Sequence, residues 1–161
     1  MIRHVCRVAA SFVLLFGVTR SLAANVAAKP DFDPAGYTRV IVAPAKTSIY
    51  LGTVAMTMPP FVRANGGFEA AYTAKVFPFF FYNEAGRLRV EISDASLRQL
   101  ERGETIEFQG RAVREDGAER RVEGRATPDS RTSGKIKVRV FYSKRIELIF
   151  NTTYRFPDMK E

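Results

Sequence analysis

Pairs of carboxylates are the only plausible means of hydrolysis in this 161-residue sequence. Glu84, Glu91 and Asp94 lie close together in the sequence. Hydrolysis of a glycosidic bond needs two such groups, roughly 5–10 Å apart across a cleft. Each of the three, however, carries the signal of a turn, an exposed strand position or a helix cap. We therefore expect no catalytic residue, and a carboxylate-based hydrolase is the weakest functional hypothesis.

The N-terminus has the three-part layout of a secretory signal peptide. Arg3 and Arg7 make the start basic, an apolar run covers 8–18, and small residues over 21–24 suit a signal peptidase. The apolar run is shorter than the roughly 20 residues that a helix needs to cross a bilayer. We predict cleavage after Ala23, or else one residue later. Residues 1–23 are then a signal peptide, and the mature chain is secreted or periplasmic, with no transmembrane segment.

Loss of this peptide limits the chemistry that remains. The single histidine, His4, and the single cysteine, Cys6, both leave with it. The mature chain then has no Ser-His-Asp or Cys-His machinery, no thiolate or imidazole for zinc, and no disulfide. Three arginines also leave, so 22 basic residues remain against 17 acidic ones, a net charge of +5. We expect no metal and no cofactor.

The remainder of the chain has the alternation of β-strands. Residues 24–36 are predicted to be a flexible lead-in, 37–157 a single β-rich domain and 158–161 a tail. Turns are predicted at 65–67, 83–86 and 143–145, and a polar loop at 128–134. Strands are predicted at 38–42, 47–58, 68–77 with a continuation over 79–82, 87–92, both arms of a hairpin around 116–117, 135–142 and 146–156. Eight or nine strands joined by short hairpins predict a mainly β fold, an antiparallel β-sandwich or a meander barrel, with one short helix over about 94–102.

The pairing of one hairpin can be derived from its apolar residues. A two-residue loop at Asp116-Gly117 would set Phe108 against Arg125 and mix core and solvent faces. A three-residue loop, 115–117 with Gly117 left-handed, pairs Phe108 with Gly124 and Glu107 with Arg125 instead. All apolar residues then share one face, so we predict the three-residue loop.

The densest apolar segment is KVFPFFFYN, residues 75–83. Pro78 interrupts it, and proline in a strand indicates an edge or a bulge. Either the rings are core, covered by the helix on one side, or some of them line a pocket for an apolar ligand. Methionines of the adjacent strand suit either a core or a pocket wall. The predicted ligand-binding residues are Met56, Met58, Tyr72, Phe77, Phe79, Phe80, Phe81 and Tyr82.

Two groups of basic residues have different surroundings. The arginines of the hairpin over 107–125 alternate with acidic residues, which predicts an ion-paired solvated face. A second group has only Glu147 nearby and shares its face with Phe141, so it could bind an anionic surface such as lipid headgroups. Predicted export argues against nucleic acid. This second group consists of Lys135, Lys137, Arg139, Lys144 and Arg145.

Two further hypotheses therefore stand beside the hydrolase. In the first, an apolar or amphiphilic ligand, such as a lipid, binds between the sheet and the helix near residues 77–82. In the second, the domain is a structural module that contacts an envelope protein along an exposed edge strand. An apolar cavity of a few hundred Å³ would favour the ligand, whereas a filled interior would favour the interaction module.

Overall fold

The computed structural model describes residues 32–158, which contain ten strands, one α-helix and two short 3₁₀ turns. The predicted signal peptide, most of the lead-in and residues 159–161 lie outside the described residues. The elements are β1 Arg39–Val42, β2 Ala45–Ile49, β3 Gly52–Thr57, β4 Phe61–Ala64, β5 Gly67–Phe77, β6 Glu84–Glu91, α1 Asp94–Glu101, β7 Ile106–Arg114, β8 Glu119–Pro128, β9 Ser133–Ser143 and β10 Ile146–Arg155.

Eight of the strands close into a barrel. Their order is β5-β4-β1-β10-β9-β8-β7-β6, and β6 pairs back to β5, with every pairing antiparallel. The two extra strands, β2 and β3, form a hairpin that pairs with the second half of β5, beyond the point where β4 ends. The predicted mainly β, antiparallel fold with one short helix is confirmed, and of the two predicted architectures the chain adopts the barrel.

Antiparallel connections place the two ends of the barrel in different surroundings. The helix α1 joins β6 to β7 at one end, which we call the helix end. The turn between β2 and β3 and the loop over 78–83 between β5 and β6 lie at the opposite end, which we call the tip end. The turns between β7 and β8 and between β9 and β10 are at the tip end as well.

Alternate residues of each strand fill the interior, as the period of two requires. The helix closes one end with Leu97 and Leu100, both buried, and Ser93 caps it by accepting a hydrogen bond from the backbone N–H of Ser96. Tyr37, Phe68 and Phe156 pack at the same end, with the rings of Tyr37 and Phe156 4.9 Å apart.

Part of the predicted lead-in contacts this aromatic group. The ring of Phe32 stacks on Tyr37 at 5.6 Å and lies under the guanidinium of Arg98 at 5.0 Å. At the other end of the described chain, Asp158 of the predicted tail accepts hydrogen bonds from Arg39 and Thr38, which lower the pKa of its carboxyl to about 2. Both flanks of the barrel therefore make specific contacts with it.

The predicted register of the central hairpin is confirmed. Phe108 pairs with Gly124 and Glu107 with Arg125, and the loop consists of residues 115–117. Gly117 has φ +84°, the left-handed conformation that glycine adopts without a Cβ clash. The helix is also confirmed, ending one residue earlier than predicted.

Three predictions about the first half of the domain are wrong. The predicted strand over 47–58 is two strands, because the chain turns at Tyr50 and Leu51. The strand β4 was not predicted, although it pairs with both β1 and β5. Residues 79–82 do not extend β5 but form a 3₁₀ turn over Phe80–Tyr82, so the turn predicted at 83–86 lies at 78–83 and β6 begins at Glu84.

Candidate functional site

An exposed apolar surface lies at the tip end, where two connections meet. Thr53, just after the β2–β3 turn, pairs with Phe77, and the backbone of Gly52 packs so closely against Phe77 and Pro78 that a Cβ there would lie 2.1 Å from the Phe77 carbonyl oxygen. The turn and the 78–83 loop are thereby side by side. Their exposed side chains, together with that of Phe77 at the end of β5, make up what we call the apolar tip: Tyr50, Leu51, Phe77, Phe80, Phe81 and Tyr82.

Every side chain of the apolar tip keeps more than half of its surface exposed. Tyr82, the least exposed, keeps 56%, and Phe81 keeps 75%. Monomeric proteins rarely expose a contiguous apolar patch of this kind unless it binds something. The alternative that the aromatic run is core is therefore wrong for these residues, and so is cover by the helix, which lies at the opposite end.

The loop of the apolar tip is held in shape by its own hydrogen bonds. The side-chain oxygen of Asn83 accepts from the backbone N–H of Val76 at 2.7 Å, and the backbone N–H groups of Tyr82 and Asn83 donate to the carbonyls of Phe79 and Phe80. Phe79 is half-buried against the core and anchors the loop, with its ring 6.0 Å from that of Phe81. The exposed rings are thus presented on an ordered frame.

The eight residues predicted to bind a ligand fall in two separate places. Met56, Met58 and Tyr72 face the barrel interior, where they line a cavity. The exposed rings of the 77–82 segment lie outside the barrel, and Phe79 lies between the two groups. The predicted position of a ligand between sheet and helix is wrong, because the helix and this segment are at opposite ends.

The cavity inside the barrel is small and apolar. Its volume is about 80 Å³, and its walls include Val90, Phe108, Val138 and Phe150. Pockets that enclose a drug-sized ligand measure about 300–1,000 Å³. By the criterion stated above, the interior is close to filled, and the exposed surface is the better candidate site.

A charged cluster lies inside the barrel at the tip end. The carboxylate of Glu84 is 3.4 Å from Arg114 and 3.8 Å from Arg120, and it accepts a hydrogen bond from the hydroxyl of Tyr72 at 3.2 Å. The guanidinium of Arg120 lies 4.4 Å from the ring of Tyr142. Arg114 and Arg120 were predicted to be on a solvated face, and this is wrong because both alternate inward with the apolar residues of β7 and β8.

The Tyr72 hydroxyl gives this cluster a measurable response to alkaline pH. Burial, and then the charge of Glu84, raise the pKa of Tyr72 to about 12, against 10 for an unperturbed tyrosine. Below pH 10 the Tyr72 hydroxyl is protonated in both the folded and the unfolded chain, so the stability that it contributes is fully present. Between pH 10 and 12 the unfolded chain loses the proton first, so the free energy of unfolding should fall. Urea denaturation at pH 9, 10 and 11 should show a shallower fall in Tyr72→Phe than in the wild type, and equal slopes would contradict the assignment.

The rest of the arginine-rich hairpin is on the outer face, as predicted. Arg111 pairs with Glu119 at 3.0 Å and Arg121 with Glu123 at 3.2 Å, and Arg121 also covers the ring of Phe141. These pairs neutralise the arginines in place, so the outer face of this hairpin offers little free positive charge.

The predicted anionic-surface residues do not form one cluster. Lys135, Lys137 and Arg139 alternate along the outer face of β9, whereas Lys144 and Arg145 lie in the β9–β10 turn. Lys135 is 3.7 Å from Asp129, and Arg139 is 3.4 Å from Glu147.

The three carboxylates of the hydrolase hypothesis are not brought together. Glu84 begins β6 at the tip end and Glu91 ends it at the helix end, which at about 3.3 Å per residue separates them by roughly 23 Å. Asp94 lies in the first turn of α1 and pairs with Arg63. Within residues 32–158, no group of three acidic side chains is arranged to hold a metal ion.

Several residues of the apolar tip were missed by the sequence reasoning. Tyr50 and Leu51 were assigned to a strand interior. Lys46 and Lys75 are not part of the apolar tip but lie on the adjoining strands, and they were not singled out either. The one available signal was Gly52, a glycine inside a strand pattern, which indicates a close backbone approach or a turn.

None of the helices in the described part of the chain is long and apolar enough to cross a membrane. Comparison with known protein families, curated proteins and solved structures gives no match.

Proposed function

We propose that this chain is a non-catalytic module of the cell envelope that binds the surface of a lipid membrane through the apolar tip. One observation carries the proposal, namely six apolar side chains that are each more than half exposed and adjacent at one end of the barrel. Aromatic side chains are enriched where proteins meet the headgroup region of a bilayer, because their rings tolerate both apolar and polar surroundings.

The shape of the apolar tip favours a membrane over a protein partner. Its side chains project from two adjacent connections, and Tyr50 is as exposed as in an isolated peptide. Protein interfaces concentrate their binding energy in well-packed pockets, whereas a projecting apolar loop can insert into the soft headgroup region. The predicted export of the chain is consistent with a site beside an envelope membrane.

Size disfavours the alternative of a lipid held inside the barrel. Burying a long acyl chain would need several times the 80 Å³ that the interior offers. A membrane surface requires no internal volume. The ligand is therefore still an amphiphile, as predicted from the sequence, but it contacts the outside of the barrel.

Co-sedimentation with lipid vesicles tests this function. The predicted mature chain, residues 24–161, should bind vesicles that contain phosphatidylglycerol, and Phe80→Ser/Phe81→Ser should lower the partition coefficient at least tenfold. Full burial of one phenylalanine contributes about 1.5–3 kcal/mol, and 1.4 kcal/mol is a factor of ten, so even partial insertion of two rings reaches this value.

The matched control changes two exposed apolar residues away from the tip. Val62 and Ile149 lie on outward positions of β4 and β10, and Val62→Ser/Ile149→Ser should change binding less than about twofold. Absence of wild-type binding would overturn the proposal. It would also be overturned if the wild type were a dimer that Phe80→Ser/Phe81→Ser dissociates, since the tip would then join two copies of the chain.

A further inference from the structure

A row of three residues crosses the outer face of the β2–β3–β5 sheet behind the apolar tip. Lys46 pairs with Ala55, and Ala55 pairs with Lys75. Both lysines are exposed, and the neighbouring positions Ala45, Val54 and Val76 are buried, so the row faces outward. Two cationic side chains thus flank a methyl group.

The dimensions of this row suit a phosphate group. Neighbouring strands lie about 4.8 Å apart, so the two lysines are separated by roughly 10 Å at the backbone, and their flexible side chains can converge above Ala55. Phe77 is two residues beyond Lys75 on the same face, about 7 Å closer to the tip end. A ring inserted into the acyl boundary would therefore leave the lysines at the level of the headgroups.

Where β2, β3 and β5 pair with one another, over 45–49, 52–57 and 73–77, no acidic residue lies on the face of these lysines. The other outward residues of this paired part are small, hydroxyl-bearing or aromatic, including Ser48, Thr53 and Thr73. Glu69 lies on the same side of β5, six residues from Lys75 toward the helix end, and pairs with Arg89 at 3.1 Å. Neither lysine has an ion pair among residues 32–158, in contrast with Lys135. Two acidic residues at the tip end are already paired: Glu84 faces the barrel interior beside Arg114 and Arg120, and Glu147 of β10 is 3.4 Å from Arg139.

We propose that Lys46 and Lys75 bind the phosphate of an anionic lipid headgroup above Ala55, and so give the apolar tip a preference for anionic membranes. This inference rests on the proposed function, and it adds the class of lipid and the orientation of the barrel. The β2–β3–β5 face then tilts toward the bilayer, and the β7–β8 turn with Glu115 and Asp116 tilts away from it.

Vesicles of two compositions test the preference. One is pure phosphatidylcholine, and the other contains roughly one third phosphatidylglycerol. A basic residue at an anionic surface contributes a factor of about five in binding, so Lys46→Gln/Lys75→Gln should lower the partition coefficient for the second vesicle about 25-fold. Binding to pure phosphatidylcholine should change less than about twofold.

The control variant also loses two positive charges, but on a different strand of the barrel. Lys135→Gln/Lys137→Gln changes two lysines of β9, which is four strands away from β5 in the eight-stranded barrel. It should lower binding to anionic vesicles less than about threefold. Circular dichroism of each variant verifies that the barrel is intact.

Each result separates this inference from the proposed function. Equal binding of the wild type to both vesicles would overturn the headgroup site and leave membrane binding in place. An equal loss in both lysine variants would also overturn it, because net charge and not the Lys46–Ala55–Lys75 row would then set the preference. Failure of the wild type to bind either vesicle would overturn the proposed function itself.

Discussion

Replacing Phe68 with alanine should lower the free energy of unfolding by about 3–5 kcal/mol. The side chain is fully buried at the helix end, with its ring 6.3 Å from that of Phe156 and the guanidinium of Arg63 5.5 Å away. Removing it leaves a cavity that the neighbouring strands β4 and β6 cannot close, because both are fixed to β5 by ladders of backbone hydrogen bonds. Urea denaturation monitored by circular dichroism measures the change.

The same substitution at Phe80 is the matched control. Phe80 is 67% exposed in the apolar tip, and surface substitutions usually change stability by less than about 0.5 kcal/mol. A loss at Phe80 as large as that at Phe68 would show that the ring is core, and the membrane proposal would then lose its basis. Retained stability together with lost vesicle binding is the expected combination.

The second half of the barrel could be predicted from local sequence because its signals agree. The alternation from Ile106 onward fixes which residues face inward, and Asp116-Gly117 fixes where the chain turns. Only one loop length satisfies both, and the register between β7 and β8 followed from it. Where turn chemistry and periodicity point to the same pairing, tertiary structure adds little information.

In the first half of the domain the prediction failed at the β2–β3 turn, which contains no typical turn residues such as Asp-Gly. Tyr50 has high strand propensity and Leu51 is not a typical turn residue, so the turn becomes evident from the pairing of β3 with β2 and β5. The four residues of β4 carry too short a pattern to be recognised, yet they help to close the barrel. Besides its local hairpin partner, each element also has a partner distant in sequence, β5 for β3 and β1 for β4, and a single sequence does not display those pairings.

The sequence indicated where the candidate site lies in the chain, but not that its side chains are exposed. The run over 77–82 was recognised as unusual, but its exposure depends on which end of the barrel the helix closes, and that follows from the connection between β6 and β7. The inward direction of Arg114 and Arg120 was also not predicted. Their positions continue the inward alternation of the apolar residues, and charge alone had suggested a solvated face.

Those inward arginines lead to the second large effect, which is expected at Glu84. Glu84→Ala should lower the free energy of unfolding by about 3–5 kcal/mol, because removal of one partner leaves an uncompensated buried charge. The side chains of Glu84 and Arg120 are only 13% and 14% exposed, and the Nε of Arg120 already has no hydrogen-bond acceptor within residues 32–158. Without Glu84, the contact that Arg120 keeps within the described part of the chain is the face of Tyr142, whereas Arg114 retains Asp116 at 3.0 Å.

Glu69→Ala is the control for this prediction. Glu69 pairs with Arg89 at 3.1 Å on the outer face, where both side chains are more than 40% exposed, and such pairs contribute less than about 1 kcal/mol. Equal losses in the two variants would contradict a special role for the buried cluster. The double variant Glu84→Leu/Arg120→Leu should recover much of the loss, since apolar residues of similar volume can replace a buried ion pair. Recovery would show that the cost of Glu84→Ala comes from the stranded charge of Arg120 and not from lost packing at the tip end.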